Sequence, residues 1–462
     1  MIRPLGGPRR GRLDQVTTAR PSATELDART PADRDRVIDA VRAASILVVV
    51  LGHWTMAAPE RVEGSLRLRN MLEVATWAQP LTWLFQVMPL FFLAAGFANH
   101  RSLAPRADGT RRPVAAYLAG RVDRVLRPTL IFLAVWLVGA WVAVALGAPE
   151  RALDAAGTAA AMPLWFLAIY LLLALLAPAQ LAVHRRWPLL LPTVLPVGVL
   201  LLDQAQGTGW AALAFLNYAL VFGLCQELGF WYADGRLQRL PRLAWVAGAA
   251  AAVALLLVAT QLGDYPVSMI GLPGQKVSNM MPPSICVVLV ALLQLSLLML
   301  LRPALARWLQ RPGPWAATVG VNLRIMTVFL WHLSGFAAAA GILLALDAPL
   351  PAIASGAWWA WKLVWIALSA LVTVALVLAL GRAEQGAGQV AAPPAPLAVL
   401  GTAVAFVGLV MVACAGFVAP FEAGGIELVG MRFVPAVGAA LVVVGYALTR
   451  AGRTTAAPSP TR

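Results

Sequence analysis

The segment from Asp39 to His53 constrains the fold most, because it is apolar enough to enter a membrane yet carries an acid, a base and an imidazole. Eleven residue steps separate Arg42 from His53, and they rotate an α-helix by about 1100°, only about 20° past three full turns. The two side chains therefore lie on one stripe, about 16 Å apart along the axis. Asp39 and Arg42 are three residues apart and can pair. Because a lipid-facing arginine or aspartate costs about 2.5–3.5 kcal/mol near the centre of a span, we expect this stripe to face a partly hydrated cavity inside the protein.

Long apolar segments recur along the rest of the chain. Hydrophobic residues make up 60% of the 462 residues and charged residues only 12%, about half the charged share of a soluble protein. Twelve runs are long enough to cross a membrane, and they lie near 38–58, 80–98, 127–147, 163–183, 187–203, 210–229, 243–262, 283–301, 321–346, 358–380, 397–419 and 433–449. The sequence therefore predicts an all-α, polytopic transmembrane helical bundle of about 12 spans.

The distribution of arginines predicts the orientation of these spans. A net charge of +15 could also indicate a nucleic-acid-binding protein, but the arginines collect in alternate loops, as the positive-inside rule requires. We expect no nucleic-acid partner, and both termini in the cytoplasm, as a disordered tail at 1–35 and a second tail at 450–462. The three cysteines lack metal-ligand spacing, so no metal site is predicted.

Several polar residues in or beside the apolar runs are candidates for chemistry. His53 could hydrogen-bond a neighbouring helix, but its shared stripe with Arg42 favours a general base. The arginines at 121, 124 and 127 form a curved ridge, which either sets topology or binds an anion. Arg324 and Trp331 are seven residues apart and share a helix face, and His332 follows at mid-depth in its span.

These segments together resemble the acyltransferase 3 family of integral membrane acyltransferases, which modify O-antigens, exopolysaccharides, peptidoglycan and macrolide sugars. The family's D-x-L-R-x-x-A pattern with a later histidine, and its F-F-x-x-S-G-F, R-x-x-R, L-W-F-L and Y-L-W-H patterns, are similar in this order to segments 39–53, 88–97, 121–127, 164–167 and 329–332. Ala44 is displaced by one place, and Ala95 stands where the family more often has serine. The resemblance covers residues 36–380, about ten spans, and leaves two additional spans within 381–449.

The resemblance implies transfer of an acyl group, expected to be acetyl, from cytoplasmic acyl-CoA to a hydroxyl of a glycan, lipid or macrolide acceptor. It implies a multi-pass protein of the plasma membrane, in contact with membrane lipid, with acyl-CoA as co-substrate and no bound cofactor. The catalytic residues expected from it are His53, Asp39, Arg42 and His332. The residues expected to bind the donor are Arg121, Arg124, Arg127, Arg324 and Trp331.

The loop at 263–283 is predicted to lie outside the membrane. It is too polar to span, yet it contains several large apolar residues. One interpretation is a re-entrant plug, and the other is a lining for the acceptor entrance. In the second, Lys276 and Asn279 hydrogen-bond a sugar, and Trp165, at the outer end of the fourth span, belongs to the same acceptor site.

Two other classes of protein remain open at this point. A twelve-span secondary transporter would also carry intramembrane Asp, Arg and His residues, but no segment near spans seven to nine repeats residues 36–53. A scaffolding membrane protein would leave the charged stripe of the first span unexplained.

Overall fold

The computed structural model describes residues 22–31, 33–62, 65–106, 108–148, 150–206, 208–275, 277–381, 393–417, 421–428 and 430–451. Its α-helices are α1 (Ala23–Ala28), α2 (Arg36–Met56), α3 (Thr82–Phe85), α4 (Met88–Leu103), α5 (Val114–Ala145), α6 (Glu150–Ala161), α7 (Pro163–Arg186), α8 (Leu190–Asp203), α9 (Ala211–Ala214), α10 (Asn217–Ala233), α11 (Arg242–Gln261), α12 (Ile285–Trp308), α13 (Pro312–Leu323), α14 (Ile325–Ala345), α15 (Gly356–Leu380), α16 (Ala395–Ala415) and α17 (Pro435–Leu448). Two antiparallel hairpins pair β1 (Ala57–Val62) with β2 (Ser65–Asn70) and β3 (Gly424–Leu428) with β4 (Met431–Phe433).

The predicted all-α polytopic bundle is confirmed. Within the described ranges, ten helical segments are long and apolar enough to cross a membrane, and α8 and α17 are shorter apolar helices. These twelve segments overlap the twelve predicted runs. How many of them span the membrane, and on which side the termini lie, stay predictions.

Helix α2 is partly buried in the bundle, with Leu47 and Leu51 exposed. It begins at Asp35, whose Oδ1 accepts hydrogen bonds from the backbone N–H groups of Val37 (3.0 Å) and Ile38 (3.1 Å), because an N-cap aspartate satisfies the free amides of the first turn. Its buried face packs against α4, α13, α14 and α15. The Asp39–His53 segment therefore faces other helices for much of its length, as the cost of its polar side chains requires.

The segment before α2 corrects one prediction. Disorder was expected across 1–35, but residues 23–28 form α1, where Ser22 and Glu25 make a reciprocal capping box. Trp315 Nε1–H in α13 donates to Thr30 Oγ1 (2.7 Å) and holds this segment against the bundle. A capping box stabilises a helix too short and polar to give an apolar periodicity, so the sequence pattern missed it. Residues 1–21 lie outside the described part of the chain.

Two helix boundaries differ from the bounds of the apolar runs. Helix α5 begins at Val114 and not near 127, so Pro128 lies in its interior and the three arginines lie within the helix. A search for apolar runs detects only the lipid-facing part of such a helix. The ninth run, expected from 321, is divided at Arg324, whose backbone (φ −122°, ψ 16°) separates α13 from α14.

Close helix pairs are made through glycines. A Cβ on Gly96 would lie 2.2 Å from the carbonyl oxygen of Gln226, and one on Gly229 would lie 2.2 Å from that of Leu93, so the backbones of α4 and α10 touch. Gly408 and Gly438 allow the same approach between α16 and α17. Small residues permit this close packing in membranes. Because α16 also packs against α5 and α7, the last two helices join the same bundle.

Candidate active site

A cavity open to solvent, with an empty volume of about 660 Å³ that includes its mouth, lies between α2, α4, α5, α7 and α14. Its charged lining consists of the guanidinium groups of Arg42, Arg121 and Arg124, beside the phenol of Tyr170. We call it the arginine cavity. The rest of its wall is largely apolar and consists of Ile46, Phe91, Ala95, Ala98, Val125, Phe166, Leu167, Ile325, Met326 and Phe329.

Arg42 is oriented by the carboxylate predicted to pair with it. Asp39 Oδ1 lies 3.6 Å from Arg42 Nη1, and Asp39 Oδ2 accepts a 2.6 Å hydrogen bond from Arg34 Nε. Asn322 Nδ2 donates to the backbone carbonyl of Asp39 (2.8 Å), which joins the end of α13 to this turn of α2. The polar first turn of α2 is thus bonded both to Arg34, which precedes the helix, and to Asn322 of α13.

Arg121 and Arg124 line the same cavity but differ in freedom. Arg121 is buried, and it donates to the carbonyl oxygen of Ala98 (2.8 Å), to Ser102 Oγ (2.9 Å) and to Tyr170 Oη (3.3 Å). Arg124 is exposed, and within the described ranges it makes no side-chain hydrogen bond. One guanidinium is therefore fixed to the wall, and the other is open to a ligand.

Arg127 faces a different neighbour. Its Nη2 lies 3.2 Å from Asp123 Oδ2, and the same carboxylate accepts 2.8 Å hydrogen bonds from Tyr446 Oη and Arg450 Nη1. Six residues rotate a helix by about 600°, so Arg127 is turned about 240° away from Arg121. The structure brings Arg42, Arg121 and Arg124 together and places Arg127 beside the terminal helix α17.

The two intramembrane histidines of the sequence analysis form a hydrogen-bonded pair. His53 Nδ1 lies 2.8 Å from His332 Nε2, and His332 Nδ1 lies 2.6 Å from the carbonyl oxygen of Phe329. Trp54 Nε1–H donates to the carbonyl oxygen of His332 (2.9 Å) and fixes α14 against α2. His332 is fully buried, whereas His53 is half-buried.

The hydrogen bonds assign the neutral tautomers of this histidine pair. A carbonyl oxygen can only accept, so the proton of His332 lies on Nδ1 and its Nε2 is an acceptor. His53 Nδ1 must then donate to that Nε2, which leaves the lone pair of His53 on Nε2. The partly accessible histidine therefore presents a basic nitrogen, and the buried one orients it.

The arginine cavity and the histidine pair lie near each other along α2 and α14. Phe329 lines the cavity, and its carbonyl oxygen holds His332 three residues later. Ile46 also lines the cavity and precedes His53 by seven residues, about 10 Å along α2. A molecule anchored at the guanidinium groups could therefore extend along α2 toward His53.

Comparison with known proteins identifies this arrangement. The sequence model of an acyltransferase domain matches residues 35–382, about three quarters of the chain. The chain belongs to the acyltransferase 3 family. The match contains the whole arginine cavity and both histidines, and it favours the acyltransferase interpretation over a transporter or a scaffold. Neither a curated protein nor a solved structure matches the chain.

Of the remaining donor-site candidates of this membrane acyltransferase, one lies at the edge of the cavity and the other lies away from it. Arg324 is half-buried at the break between α13 and α14, directly before Ile325 and Met326, which line the cavity. Trp331 is buried away from it, with its ring centroid 5.1 Å from that of Phe132.

Two of the acceptor-site candidates, Asn279 and Trp165, lie in the described part of the chain. Asn279 is fully buried, and both amide hydrogens are used, toward the carbonyl oxygens of Pro266 (2.7 Å) and Ser268 (3.0 Å). It therefore stabilises the 263–283 loop from inside and does not face a sugar. Trp165 packs its ring 5.8 Å from that of Tyr218. Lys276 lies outside the described residues.

The structure also reveals a polar network that the sequence analysis missed. His184 Nδ1 lies 2.5 Å from Glu227 Oε1, and His184 Nε2 lies 3.0 Å from Asp234 Oδ2. His100 Nε2 lies 2.9 Å from Asp234 Oδ1, and Gln180 Nε2 donates to Glu227 Oε2 (3.1 Å). The donor atoms of His100, His184 and Asp234 lie within 4.8 Å of one another and could hold a metal ion. These residues are far apart in sequence, so no local motif marks them.

Proposed function

We propose that this acyltransferase moves an acyl group, expected to be acetyl, from cytoplasmic acyl-CoA to a hydroxyl group of a glycan, lipid or macrolide-type acceptor. One observation carries the proposal. A cavity lined by three guanidinium groups lies about two helical turns along α2 from a histidine whose Nε2 is free.

The lining of the arginine cavity suits the donor. CoA carries its phosphates at one end and its thioester at the other, joined by a long and mostly uncharged chain. Charge-assisted hydrogen bonds from Arg42, Arg121 and Arg124 would bind the phosphates. The chain would then pass along the apolar wall, toward Phe329 and the histidine pair. Acyl-CoA is a cytoplasmic metabolite, so this assignment agrees with the predicted cytoplasmic location of the arginine-rich end and of both termini.

The histidine pair supplies the acid–base chemistry. His53 Nε2 takes the proton of the acceptor hydroxyl while the hydroxyl oxygen attacks the thioester carbonyl. As the tetrahedral intermediate collapses, the carbon–sulfur bond breaks, and the CoA sulfur receives that proton from His53. The positive charge on His53 during this interval strengthens its hydrogen bond to His332 Nε2. His332 is thus a positioning residue, held by the carbonyl oxygen of Phe329, and Asp39 has the same role toward Arg42.

The purified protein in lipid nanodiscs tests the donor assignment. Calorimetric titration with acetyl-CoA should show saturable binding, and adenosine 3′,5′-bisphosphate, which carries two of the three phosphates of CoA and lacks the thioester arm, should compete. Release of CoA thiol should accelerate when a hydroxylated acceptor is added. No binding of acetyl-CoA by folded protein would contradict the proposed function.

A further inference from the structure

Tyr170 brings a phenol to the guanidinium groups of the arginine cavity. It lies on α7, four residues after Phe166 and three after Leu167, and all three side chains line the cavity because these spacings place them on one helix face. The residue is half-buried, and its hydroxyl contacts Arg121, which lines the same cavity. The polar end of the phenol therefore lies at the guanidinium cluster.

The hydroxyl of Tyr170 receives a hydrogen bond from the protein but donates none to it. Arg121 Nη1 donates to Tyr170 Oη (3.3 Å), and within the described ranges this is the only hydrogen bond of that hydroxyl. A phenol has one O–H donor in addition to its acceptor lone pairs. The O–H hydrogen of Tyr170 is therefore available to a ligand.

Other tyrosines of the bundle use this hydrogen within the protein. Four of the six phenols donate to protein oxygen atoms, namely Tyr218 to Met280 (3.0 Å), Tyr232 to Asp35 (2.9 Å), Tyr265 to Asp203 (2.9 Å) and Tyr446 to Asp123 (2.8 Å). None of these four lines the arginine cavity, and neither does the fully buried Tyr117. The free O–H thus belongs to the tyrosine that lines the cavity.

Arg121 holds the phenol in place and strengthens it as a donor. Arg121 Nη2 donates to the carbonyl oxygen of Ala98 and to Ser102 Oγ, so the guanidinium is fixed before it reaches Tyr170. A hydrogen bond donated by a cation to the phenol oxygen polarises the O–H bond. Because the hydroxyl is already ordered, a ligand that accepts from it loses little binding free energy to ordering.

The surroundings of this hydroxyl favour an anionic acceptor. Arg42 and Arg124 line the same cavity, and no carboxylate of the described residues does so. Guanidinium groups have donors only, so they cannot accept the O–H hydrogen. A phosphate oxygen provides negative charge for the arginines and lone pairs for the phenol.

We propose that Tyr170 is a donor-binding residue whose O–H donates to a phosphate oxygen of acyl-CoA, and that Arg121 is its positioning residue. The inference rests on the proposed function, because it adds a recognition group to the same donor site. It also gives the two arginines of α5 different tasks. Arg124 contributes an open charge, and Arg121 contributes through the phenol as well as through its own charge.

Calorimetry on the whole protein in phosphatidylcholine nanodiscs tests this contact. Tyr170→Phe keeps the ring and removes only the hydroxyl, so acetyl-CoA should bind about tenfold more weakly than to the wild type. Inorganic pyrophosphate, titrated separately, should lose a similar factor. Because the phenol is uncharged, the salt dependence of acetyl-CoA binding should stay as in the wild type, whereas Arg124→Ala should reduce it.

Ser102→Ala is the matched control for an indirect effect through Arg121. Ser102 Oγ accepts a hydrogen bond from Arg121, as the phenol does, but Ser102 does not line the cavity. Its substitution therefore loosens Arg121 without removing a contact to the ligand, and acetyl-CoA affinity should stay close to the wild-type value. Thermal unfolding of both variants would verify that they fold.

Equal acetyl-CoA affinity in the wild type and in folded Tyr170→Phe would overturn the assignment and leave the proposed function standing. Equal losses in Tyr170→Phe and Ser102→Ala would overturn it too, because the phenol would then act only through Arg121. A loss for acetyl-CoA without one for pyrophosphate would exclude a phosphate as the acceptor. If pyrophosphate binds through Tyr170 while acetyl-CoA does not bind the wild type, the phosphate contact stands and the proposed donor is wrong.

Discussion

Two polar clusters of the described bundle differ in how completely the protein satisfies their hydrogen bonds: the arginine cavity, and the network of His100, His184, Glu227 and Asp234 within and after α4, α7 and α10. In the α4–α7–α10 network, both ring nitrogens of His184 are bonded to carboxylates, and the side chains of His184 and Glu227 are fully buried. In the arginine cavity, Arg124 is exposed, and beyond it His53 keeps a free Nε2. A charged or polar side chain inside a membrane protein therefore indicates a ligand site only where some of its hydrogen-bond donors or acceptors have no partner within the protein.

The two clusters also differ in how they are joined to the helices around them. Gln226 receives a hydrogen bond from Asn99 (2.8 Å) and donates to Gln180 (2.8 Å), so the network links three helices that are already in close contact. At the arginine cavity, α2, α4, α5, α7 and α14 surround an open volume. Substitutions in the network should therefore change stability, and substitutions in the cavity should change function.

The largest effect is expected at His53. His53→Ala removes the proposed general base, so acyl transfer should fall by about 10²- to 10⁴-fold, while the protein still folds at a cost of about 1–3 kcal/mol, because the buried His332 Nε2 loses its donor. Rates of CoA release with acceptor present would measure the loss. His332→Ala is the matched variant and should cost less, because it removes only the positioning of the base. Wild-type turnover by folded His53→Ala would exclude His53 from the mechanism.

In the polar network around His184, we expect a substitution to lower stability and to leave donor binding unchanged. Glu227→Leu leaves His184 without its buried partner, so the free energy of unfolding should fall by about 3–5 kcal/mol. Denaturant titration in mixed micelles would measure it, and the protein that remains folded should bind acetyl-CoA as the wild type does. The double variant His184→Leu/Glu227→Met replaces both partners with apolar groups and should recover much of the stability. Unchanged stability in Glu227→Leu would remove the distinction between the two clusters.

A smaller loss is expected for Arg124. Arg124→Ala removes a charge-assisted phosphate contact, so acyl-CoA binding should weaken by about 1.5–3 kcal/mol. Arg124→Lys should restore part of it, because the charge remains but the fork geometry is lost. Arg121→Ala should weaken donor binding and also lower stability, because Arg121 bonds to Ala98 and Ser102. Unchanged donor affinity in Arg124→Ala would show that this arginine only sets topology.

The smallest effect is expected for Arg127. Asp123 keeps Arg450 and Tyr446 as partners, so Arg127→Ala should cost less than about 1 kcal/mol of stability. Donor affinity should not change, because Arg127 does not line the arginine cavity. Calorimetry on Arg124→Ala and Arg127→Ala side by side is the sharpest form of this comparison. Equal losses of donor affinity in the two variants would show that Arg127 also binds the donor.

The sequence by itself determined the class of the protein and the composition of its first span. Hydropathy and helical period are local properties, so the apolar runs and the shared stripe of Arg42 and His53 can be derived without a partner helix. The pairing of Asp39 with Arg42 follows from the same period and is present in the structure. The family resemblance was carried by short motifs of the same local kind, and the match to residues 35–382 confirms it.

Only the tertiary structure decided which of these faces meet. The period of a helix tells which side chains share a face but not what lies opposite, so the contact between His53 and His332, which are 279 residues apart, could not be derived. The same reason explains Arg127, which shares a ridge with Arg121 in the sequence yet bonds to Asp123 beside α17. It also explains Lys362 of α15, whose Nζ donates to the carbonyl oxygen of Ala57 one turn beyond His53, because that contact depends on how α15 packs against α2.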